Sequence, residues 1–279
     1  MKHIIKRGCF LTLMFMLLGC LSLYAADNDL ITRQITIQLE KAGTLPDRIG
    51  SSRKYTITNL KIIGEINGTD LRMIREMAGS NSTGNSTDGM LSVLDLSEAK
   101  IVEGGDCYYK DHYTSNDVIG SHAFSYCSGL TSLNLPAGIT EIQNDAFRNC
   151  SGLTSLNLPD GITEIGNNVF TICFGLTSIY VYAEKVPLIG GNAFAGVDVK
   201  KCTVYVPMGT RDDYRLSGFG DYFENIVEFE ATGIDKTTTS TEVEEVARYS
   251  VNGQRLSAPT KGLNIVKYSD GSVKKVAVQ

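Results

Sequence analysis

The chain has 279 residues, no tryptophan, three histidines and a formal net charge of −5. An acidic balance argues against a nucleic-acid partner, because binding to a phosphate backbone depends on clustered Lys and Arg. Histidine is the commonest general base and metal ligand, so its scarcity leaves few candidates for catalysis. The composition therefore predicts neither a nucleic-acid-binding protein nor an enzyme, and it predicts no cofactor.

The N terminus predicts export. Three basic residues precede an apolar run over residues 9–24, which is too short for a stable membrane span. We expect residues 1–26 to be a secretory signal cleaved after a Leu-Tyr-Ala sequence. The alternative is the lipobox-like Leu17-Leu-Gly-Cys20, which would leave a lipid anchor at Cys20 as the sole membrane contact. Either cut predicts export, and the mature net charge becomes about −8.

Residues 27–56 are predicted to cap the N-terminal end of a longer array. Ile35–Leu39 has the composition of a strand, and Ala42, Leu45 and Ile49 follow it with apolar side chains. A terminal unit of this kind keeps the first apolar layer of an array out of water.

The array itself is predicted to span residues 57–229 and to begin with degenerate units. Two runs, starting at Ile57 and Leu91, share the spacing of apolar residues that is described below. Between them, the apolar spacing within Asp70–Met77 predicts a helix capped by Asp70. Residues 79–89 are rich in Ser, Asn, Thr and Gly and predict a surface loop.

An insertion at residues 104–113 carries three tyrosines, Tyr108, Tyr109 and Tyr113, together with His112. Tyrosines among mixed charges are typical of binding loops, since they offer large contact area and a hydrogen-bonding tip. The alternative is that Tyr108 and Tyr109 only cover the neighbouring turn. Cys107, Asp111 and His112 lack a fixed third partner, so we predict neither a metal site nor a catalytic one here.

From Ile119 the sequence repeats with a period of 23 residues. A unit of this size cannot bury its apolar face alone, so it must stack on its neighbours as a solenoid. Each unit contains Leu-x-x-Leu-x-Leu, which predicts a short strand that is ended by proline. Parallel pairing of these strands would bring identical side chains into columns. The recurring apolar positions are Phe124, Phe147, Phe170; Leu130, Leu153, Leu176; Leu133, Leu156, Ile179; Leu135, Leu158, Val181; and Ile142, Ile165, Leu188.

Cys127, Cys150 and Cys173 share this period and are predicted to form an interior column of reduced thiols. The alternatives are disulfides or a metal site. Thiols in register on neighbouring turns lack convergent partners, and no His or carboxylate accompanies them.

The strand positions between the apolar ones face outward and form a second candidate surface. A small polar sheet is suited to hydrogen-bonding an extended protein or a glycan, although Thr and Asn at repeated positions can also form ladders with one another. These candidate contacts are Thr131, Asn134, Thr154, Asn157, Thr177 and Tyr180.

The C-terminal end of the array is predicted to be capped. Cys202–Pro207 should be the last strand and Arg211–Leu216 a short helix, and residues 222–227 should cover the open end. We expect a polar linker at 230–245 and a basic tail at 246–279. Asn-Gly at 252–253 and Asp-Gly at 270–271 predict two β-hairpins in this tail.

The motif Phe-x-x-Cys-x-x-Leu-x-x-Leu-x-Leu-Pro-x-x-Ile-x-x-Ile resembles the BspA-like leucine-rich repeat of bacterial surface proteins. The similarity is close over Ile119–Pro207 and recognisable over about Leu39–Phe229. It implies an α/β-type repeat solenoid with a parallel β-sheet on one face and a mostly irregular convex side with short helices. The hairpin signals of the tail add a small C-terminal β appendage.

The tail is similar to the C-terminal β tails of secreted Bacteroidetes-type proteins, which implies export or surface attachment; a small β appendage without that role is the alternative. The repeat resemblance implies a non-enzymatic protein that adheres to a host protein, matrix or cell-surface glycan. The alternative function is a periplasmic or envelope scaffold that binds partners of its own cell.

Overall fold

The computed structural model describes residues 30–230, 245–250, 255–256, 262–268 and 273–278. The chain divides into a first compact unit that ends at Ala231 and a second from Thr232 to Gln279. The expected signal peptide, lipobox and most of the expected linker lie outside the described residues, so these expectations stay predictions.

The first unit is a repeat solenoid built on an eight-stranded parallel sheet, which confirms the predicted fold. Each strand pairs with the strand of the next repeat, so the order in the sheet follows the order in the chain. The strands are β1 Ile35–Leu39, β2 Asn59–Ile66, β3 Val93–Ile101, β7 Ser132–Asn134, β9 Ser155–Leu158, β11 Ser178–Val181, β13 Thr203–Pro207 and β14 Ile226–Phe229.

A second, narrower parallel sheet runs beside the first. It consists of two-residue strands contributed by the Ile-x-x-Ile part of each repeat. Hydrogen bonds between these short strands fix the second edge of every turn. The strands are β6 Val118–Ile119, β8 Glu141–Ile142, β10 Glu164–Ile165 and β12 Leu188–Ile189.

Helices are few and short, as the repeat pattern predicts. In the described part of the chain, two lie near the N-terminal end of the array and two near its C-terminal end, where the repeats are degenerate. They are α1 Leu45–Ile49, α2 Gly68–Met77, α3 Arg211–Arg215 and α4 Gly218–Tyr222. The insertion between β3 and β6 forms an antiparallel hairpin of β4 Gly104–Tyr109 and β5 His112–Thr114.

The core consists of the predicted columns. In one of these columns Leu133 pairs with Leu156, and Leu156 pairs with Ile179; all three side chains are buried. Phenylalanines form a parallel stack, with ring centroids 5.3 Å apart from Phe124 to Phe147, 5.4 Å to Phe170 and 5.3 Å to Phe194. Parallel rings at this spacing bury apolar area and add direct ring–ring attraction.

The last full repeat is one residue longer than its predecessors, which corrects one predicted column. Ile165 pairs with Ile189, whereas Leu188 pairs with the exposed Glu164. Leu188 is accordingly 72% exposed, and Ile189 packs against the core. The extra residue shifts the register, so Phe194 follows Phe170 by 24 positions.

Two predicted boundaries also differ. Asn67, not Asp70, is the N-cap of α2: its side chain accepts a hydrogen bond from the backbone N–H of Thr69 at 3.0 Å, while Asp70 accepts one from the N–H of Asn67 at 2.9 Å. This reciprocal arrangement is a capping box. The sheet also does not end at β13, because β14 pairs with it in parallel.

The C-terminal cap packs on the end of the phenylalanine stack. Phe223 lies edge-on to Phe194 at 4.9 Å between centroids, and Phe219 lies 6.0 Å from the same ring. All three side chains are buried. The cap therefore keeps the last aromatic layer out of water, as a terminal repeat requires.

The second unit contains a four-stranded sheet. Its strands are β15 Glu245–Ser250, β16 Arg255–Leu256, β17 Gly262–Tyr268 and β18 Val273–Val278. Their order in the sheet is β16-β15-β17-β18, and every adjacent pair is antiparallel. The two Gly-containing dipeptides predicted to turn the hairpins lie outside the described residues.

Candidate ligand-binding face

The main sheet has one face turned away from the core. Strand pairing aligns outward side chains on this face into rows, and one of these rows spans seven strands. Strand register places Lys61, Asp95, Asn134, Asn157, Tyr180, Tyr205 and Val227 side by side on successive strands. Neighbouring members of such a row are about 4.8 Å apart. The row changes character along the sheet, from charged through amide to aromatic.

The threonines predicted as contacts bond to the preceding repeat. The hydroxyl of Thr131 donates to the carbonyl oxygen of Ser92 at 3.0 Å, that of Thr154 to Thr131 at 3.0 Å, and that of Thr177 to Thr154 at 3.1 Å. These side chains are exposed, but each hydroxyl already has a partner in the solenoid. The ladder accounts for their recurrence without any ligand.

The two predicted asparagines form the next step of the same ladder. The side-chain amide of Asn157 donates to Oδ1 of Asn134 at 3.2 Å. Within the described residues, this bond leaves Nδ2 of Asn134 and Oδ1 of Asn157 without a hydrogen-bond partner. Unlike the threonines, the asparagines thus keep hydrogen-bonding capacity for another molecule.

The C-terminal end of the row carries a cluster of aromatic side chains, here named the aromatic patch. The rings of Tyr180 and Tyr205 are parallel, with centroids 4.5 Å apart. Phe229 meets Tyr180 edge-on at 6.0 Å and Tyr182 edge-on at 5.2 Å. The patch consists of Tyr180, Tyr182, Tyr205, Val227 and Phe229.

The repeat pattern identified Tyr180 in this patch and missed its other members. Tyr205 follows Tyr180 by 25 residues, and Val227 and Phe229 lie on a strand that was expected to be part of the cap. The signal that could have found Tyr205 is the alternation Thr203-x-Tyr205 in a strand whose inward positions are Val204 and Val206. It places Tyr205 outward, on the same face as Tyr180.

For two tyrosines of the insertion hairpin the structure agrees with the alternative to a binding loop, because Tyr108 and Tyr109 are buried. Tyr108 is 1% exposed and its hydroxyl donates to the carbonyl oxygen of Ser121 at 2.8 Å. Tyr109 is 5% exposed and stacks under the guanidinium of Arg75 at 4.6 Å. Neither ring is available to a ligand. Tyr108 and Tyr109 are therefore structural residues and not ligand contacts. Tyr113 is 59% exposed, and His112 is half-buried.

Arg75 holds the hairpin, helix α2 and the first repeat together, a role that the sequence did not reveal. Its guanidinium is fully buried and donates to the carbonyl oxygens of His122, Ala123 and Ser125 at 2.7, 3.0 and 3.2 Å. Turn carbonyls thereby gain a charged donor. These bonds offset part of the cost of burying the charge, while Nε of Arg75 has no hydrogen-bond partner among the described residues.

Two imidazoles meet where the hairpin lies on the first repeat. The rings of His112 and His122 are 5.2 Å apart, and Tyr109 lies 5.0 Å from His122. Burial lowers the pKa of His122, and the nearby charges of Arg75 and Lys110 act in the same direction, whereas Asp145 opposes them. The environment of His122 therefore favours its neutral form over its protonated form.

The cysteine column is interior, as predicted. Cys150 and Cys173 donate their thiol hydrogens to the carbonyl oxygens of Phe124 and Phe147, with Sγ–O distances of 3.0 and 3.1 Å. Burial raises the pKa of Cys127 to about 11 and that of Cys173 to about 12, and it raises the pKa of Cys150 well above its usual range. Over the described part of the chain the cysteines are free thiols.

Among the described residues, no group of three or more His, Cys, Asp or Glu side chains is placed to hold a metal ion. The same part of the chain has no helix that is long and apolar enough to cross a membrane.

Comparison with known families identifies the repeat. Residues 111–213 match the BspA type leucine rich repeat region in six copies. This part of the chain is therefore a BspA-type leucine-rich repeat region, as its resemblance implied. Leucine-rich repeat regions are generally interaction modules without catalytic function, and proteins of the BspA type are typically exported or at the cell surface. No curated protein matches the chain.

Proposed function

We propose that this protein is an exported, non-enzymatic adhesin that binds a host protein, matrix component or glycan outside the cell. The observation that supports the proposal best is the aromatic patch. Four aromatic rings and a valine lie together on the outward face of a regular sheet, where packing of the solenoid gives no reason for them. Clustered tyrosines with free hydroxyls are typical of interaction surfaces.

The rest of the surface divides into parts that support this assignment to different degrees. The threonine ladder is explained by its own hydrogen bonds, and Tyr108 and Tyr109 by their burial. Tyr113 is exposed at the insertion hairpin and remains a second candidate contact. The asparagines adjoin the aromatic patch and extend it along the row.

Export is supported by the basic and apolar leader at residues 1–26, and surface attachment by the resemblance of the tail at residues 246–279. Brief protease treatment of intact cells tests the location. We expect the solenoid to be cleaved from the surface while a periplasmic marker stays intact. A solenoid that is spared until the outer membrane is opened would instead assign the protein to the periplasm, as a scaffold for partners of its own cell.

Binding is tested with the mature protein immobilised against panels of extracellular proteins and glycans. We expect at least one panel member to bind, and we expect binding to be lost when Tyr180 and Tyr205 are both changed to Ala. Phe174→Ala is the matched control, because Phe174 is 63% exposed and lies outside the sheet. Retained binding in the double variant would place the contact elsewhere, at Tyr113 or in the tail.

A further inference from the structure

Among the described residues, the ring of Tyr205 stacks on one other ring and has no aromatic partner on its second side. Tyr205 stacks on Tyr180 through one face. On its other side lies β14, the last strand of the sheet, whose paired residue is Val227. Valine is too small to cover a phenol ring, and Val227 is itself 41% exposed. At this edge of the sheet, the ring of Tyr205 therefore stands beside the smaller apolar side chain of Val227.

No charged side chain belongs to the patch. Glu228, its neighbour in the chain, is turned to the opposite side and accepts hydrogen bonds from the backbone N–H groups of Gly209 and Arg211 at 2.8 and 3.2 Å. The nearest charges in the row, Lys61 and Asp95, pair with each other at 3.2 Å. Asp95 lies three strands from Tyr180, about 14 Å away at one strand spacing each. The row from Asn134 to Val227 therefore offers no charged side chain to a ligand, which favours a neutral one.

Hydrogen-bonding groups continue in line with the free ring. Within the described residues, Nδ2 of Asn134 and Oδ1 of Asn157 have no hydrogen-bond partner, as described above. The same is true of the hydroxyls of Tyr180 and Tyr205. The row thus offers hydrogen-bond donors and acceptors on neighbouring strands, about 4.8 Å apart, and it ends at the ring of Tyr205. A sugar ring carries the complementary surface, with hydroxyls at its rim and C–H groups on its faces.

We propose that this row is a binding site for a neutral polysaccharide. One sugar stacks on the free face of Tyr205 above Val227, and the following sugars hydrogen-bond to the tyrosine hydroxyls and the asparagine amides. The assignment rests on the proposed binding function and narrows it to one class of ligand. The residues that dominate protein–protein binding cluster in well-packed, fully desolvated pockets. The row is instead part of a sheet surface, on which two amide side chains are followed by two tyrosine rings.

Calorimetric titration of the mature chain with linear neutral hexasaccharides of glucose, mannose and galactose tests the assignment, with hexuronate and sulfated oligosaccharides as the charged comparison. We expect one neutral series to bind and its affinity to change little with salt, because no ion pair forms. Tyr205→Ala should weaken that binding about tenfold or more, the loss typical of a central contact. Asn157→Ala should weaken it less, and Phe174→Ala should leave it unchanged.

Failure to bind any neutral oligosaccharide, or a preference for the charged ones, would overturn the assignment. So would neutral binding that Tyr205→Ala and Asn157→Ala both leave intact. Circular dichroism and thermal melting of each variant exclude loss of folding as the cause of weaker binding. Capture of a protein ligand that depends on Tyr205, without any sugar binding, would refute the polysaccharide site while the proposed adhesion function stood.

Discussion

Individual residues carry the strain of the repeat. Each unit has two positions with left-handed backbone, one shared by His122, Asp145 and Asn168, the other by Tyr126, Asn149 and Ile172. Asp and Asn tolerate this conformation, whereas a β-branched side chain does so at a cost. Ile172, with φ of 66°, is therefore a strained residue in the third repeat.

We predict that Ile172→Asn stabilises the protein by about 1 kcal/mol, because asparagine relieves the left-handed strain. The free energy of unfolding from urea titration measures the effect. Asn149→Ile, the reverse change one repeat earlier, should destabilise by a similar amount. If both variants matched the parent, backbone strain would not govern stability at this position.

The buried thiols are predicted to react slowly. Since burial raises the pKa of Cys127, Cys150 and Cys173, little thiolate forms at neutral pH and reagents cannot reach the sulfur. Native protein should show fast labelling only at the half-buried Cys107, with the others reacting on denaturation. Rapid native labelling of the column would contradict its interior placement.

At the scale of the strand, inward and outward positions differ sharply. Leu156 is fully buried, and its neighbour Asn157 lies on the outward face. Leu156→Asp should cost several kcal/mol, of the order of a domain's whole stability, because it places an unpaired charge in the core. Asn157→Asp should cost little. Equal losses of melting temperature would show that the two faces are assigned wrongly.

The hairpin β4–β5 should respond to acid through His122. The pKa of this group is lowered in the folded protein, so the unfolded chain binds protons more readily. Its contribution to stability is therefore complete above about pH 6.5 and is lost as the pH falls below that value. Urea titrations from about pH 7.5 to 5 should show this loss.

His122→Asn is the control for that prediction, since Asn168 occupies the same left-handed position in a later repeat. The variant should have a flatter stability profile between about pH 7 and 5.5. An unchanged profile would assign the acid sensitivity to other groups.

Elements were predictable to the extent that they repeat. The strands, the phenylalanine stack and the cysteine column follow from three nearly identical sequences. The capping box of α2, the position of Ile189 and the burial of Tyr108 do not, because each depends on a contact or a register shift that occurs once. A single extra residue moved Leu188 out of the core, and no local pattern marked it.

At the scale of the molecule, regularity identified the solenoid and did not reveal the aromatic patch that we propose as the binding face. The expected sheet contacts lay on its regular part, where the hydroxyl of Thr154 is engaged with the preceding repeat and Asn157 donates one side-chain hydrogen bond to Asn134. The aromatic patch is formed where the repeat decays, from strands whose spacing is no longer 23 residues. Sequence periodicity therefore identified Tyr180 alone, since Tyr205 and Phe229 join it only through strand pairing.

The central claim is that this patch contacts the ligand. Hydroxyl-radical footprinting of tyrosine side chains, with and without a bound ligand from the panels, tests it most directly. We predict protection of Tyr180, Tyr182 and Tyr205, and no change at Tyr126, which is 39% exposed on a turn outside the sheet. Protection confined to Tyr113 or to residues of the tail, with the patch tyrosines unchanged, would contradict it.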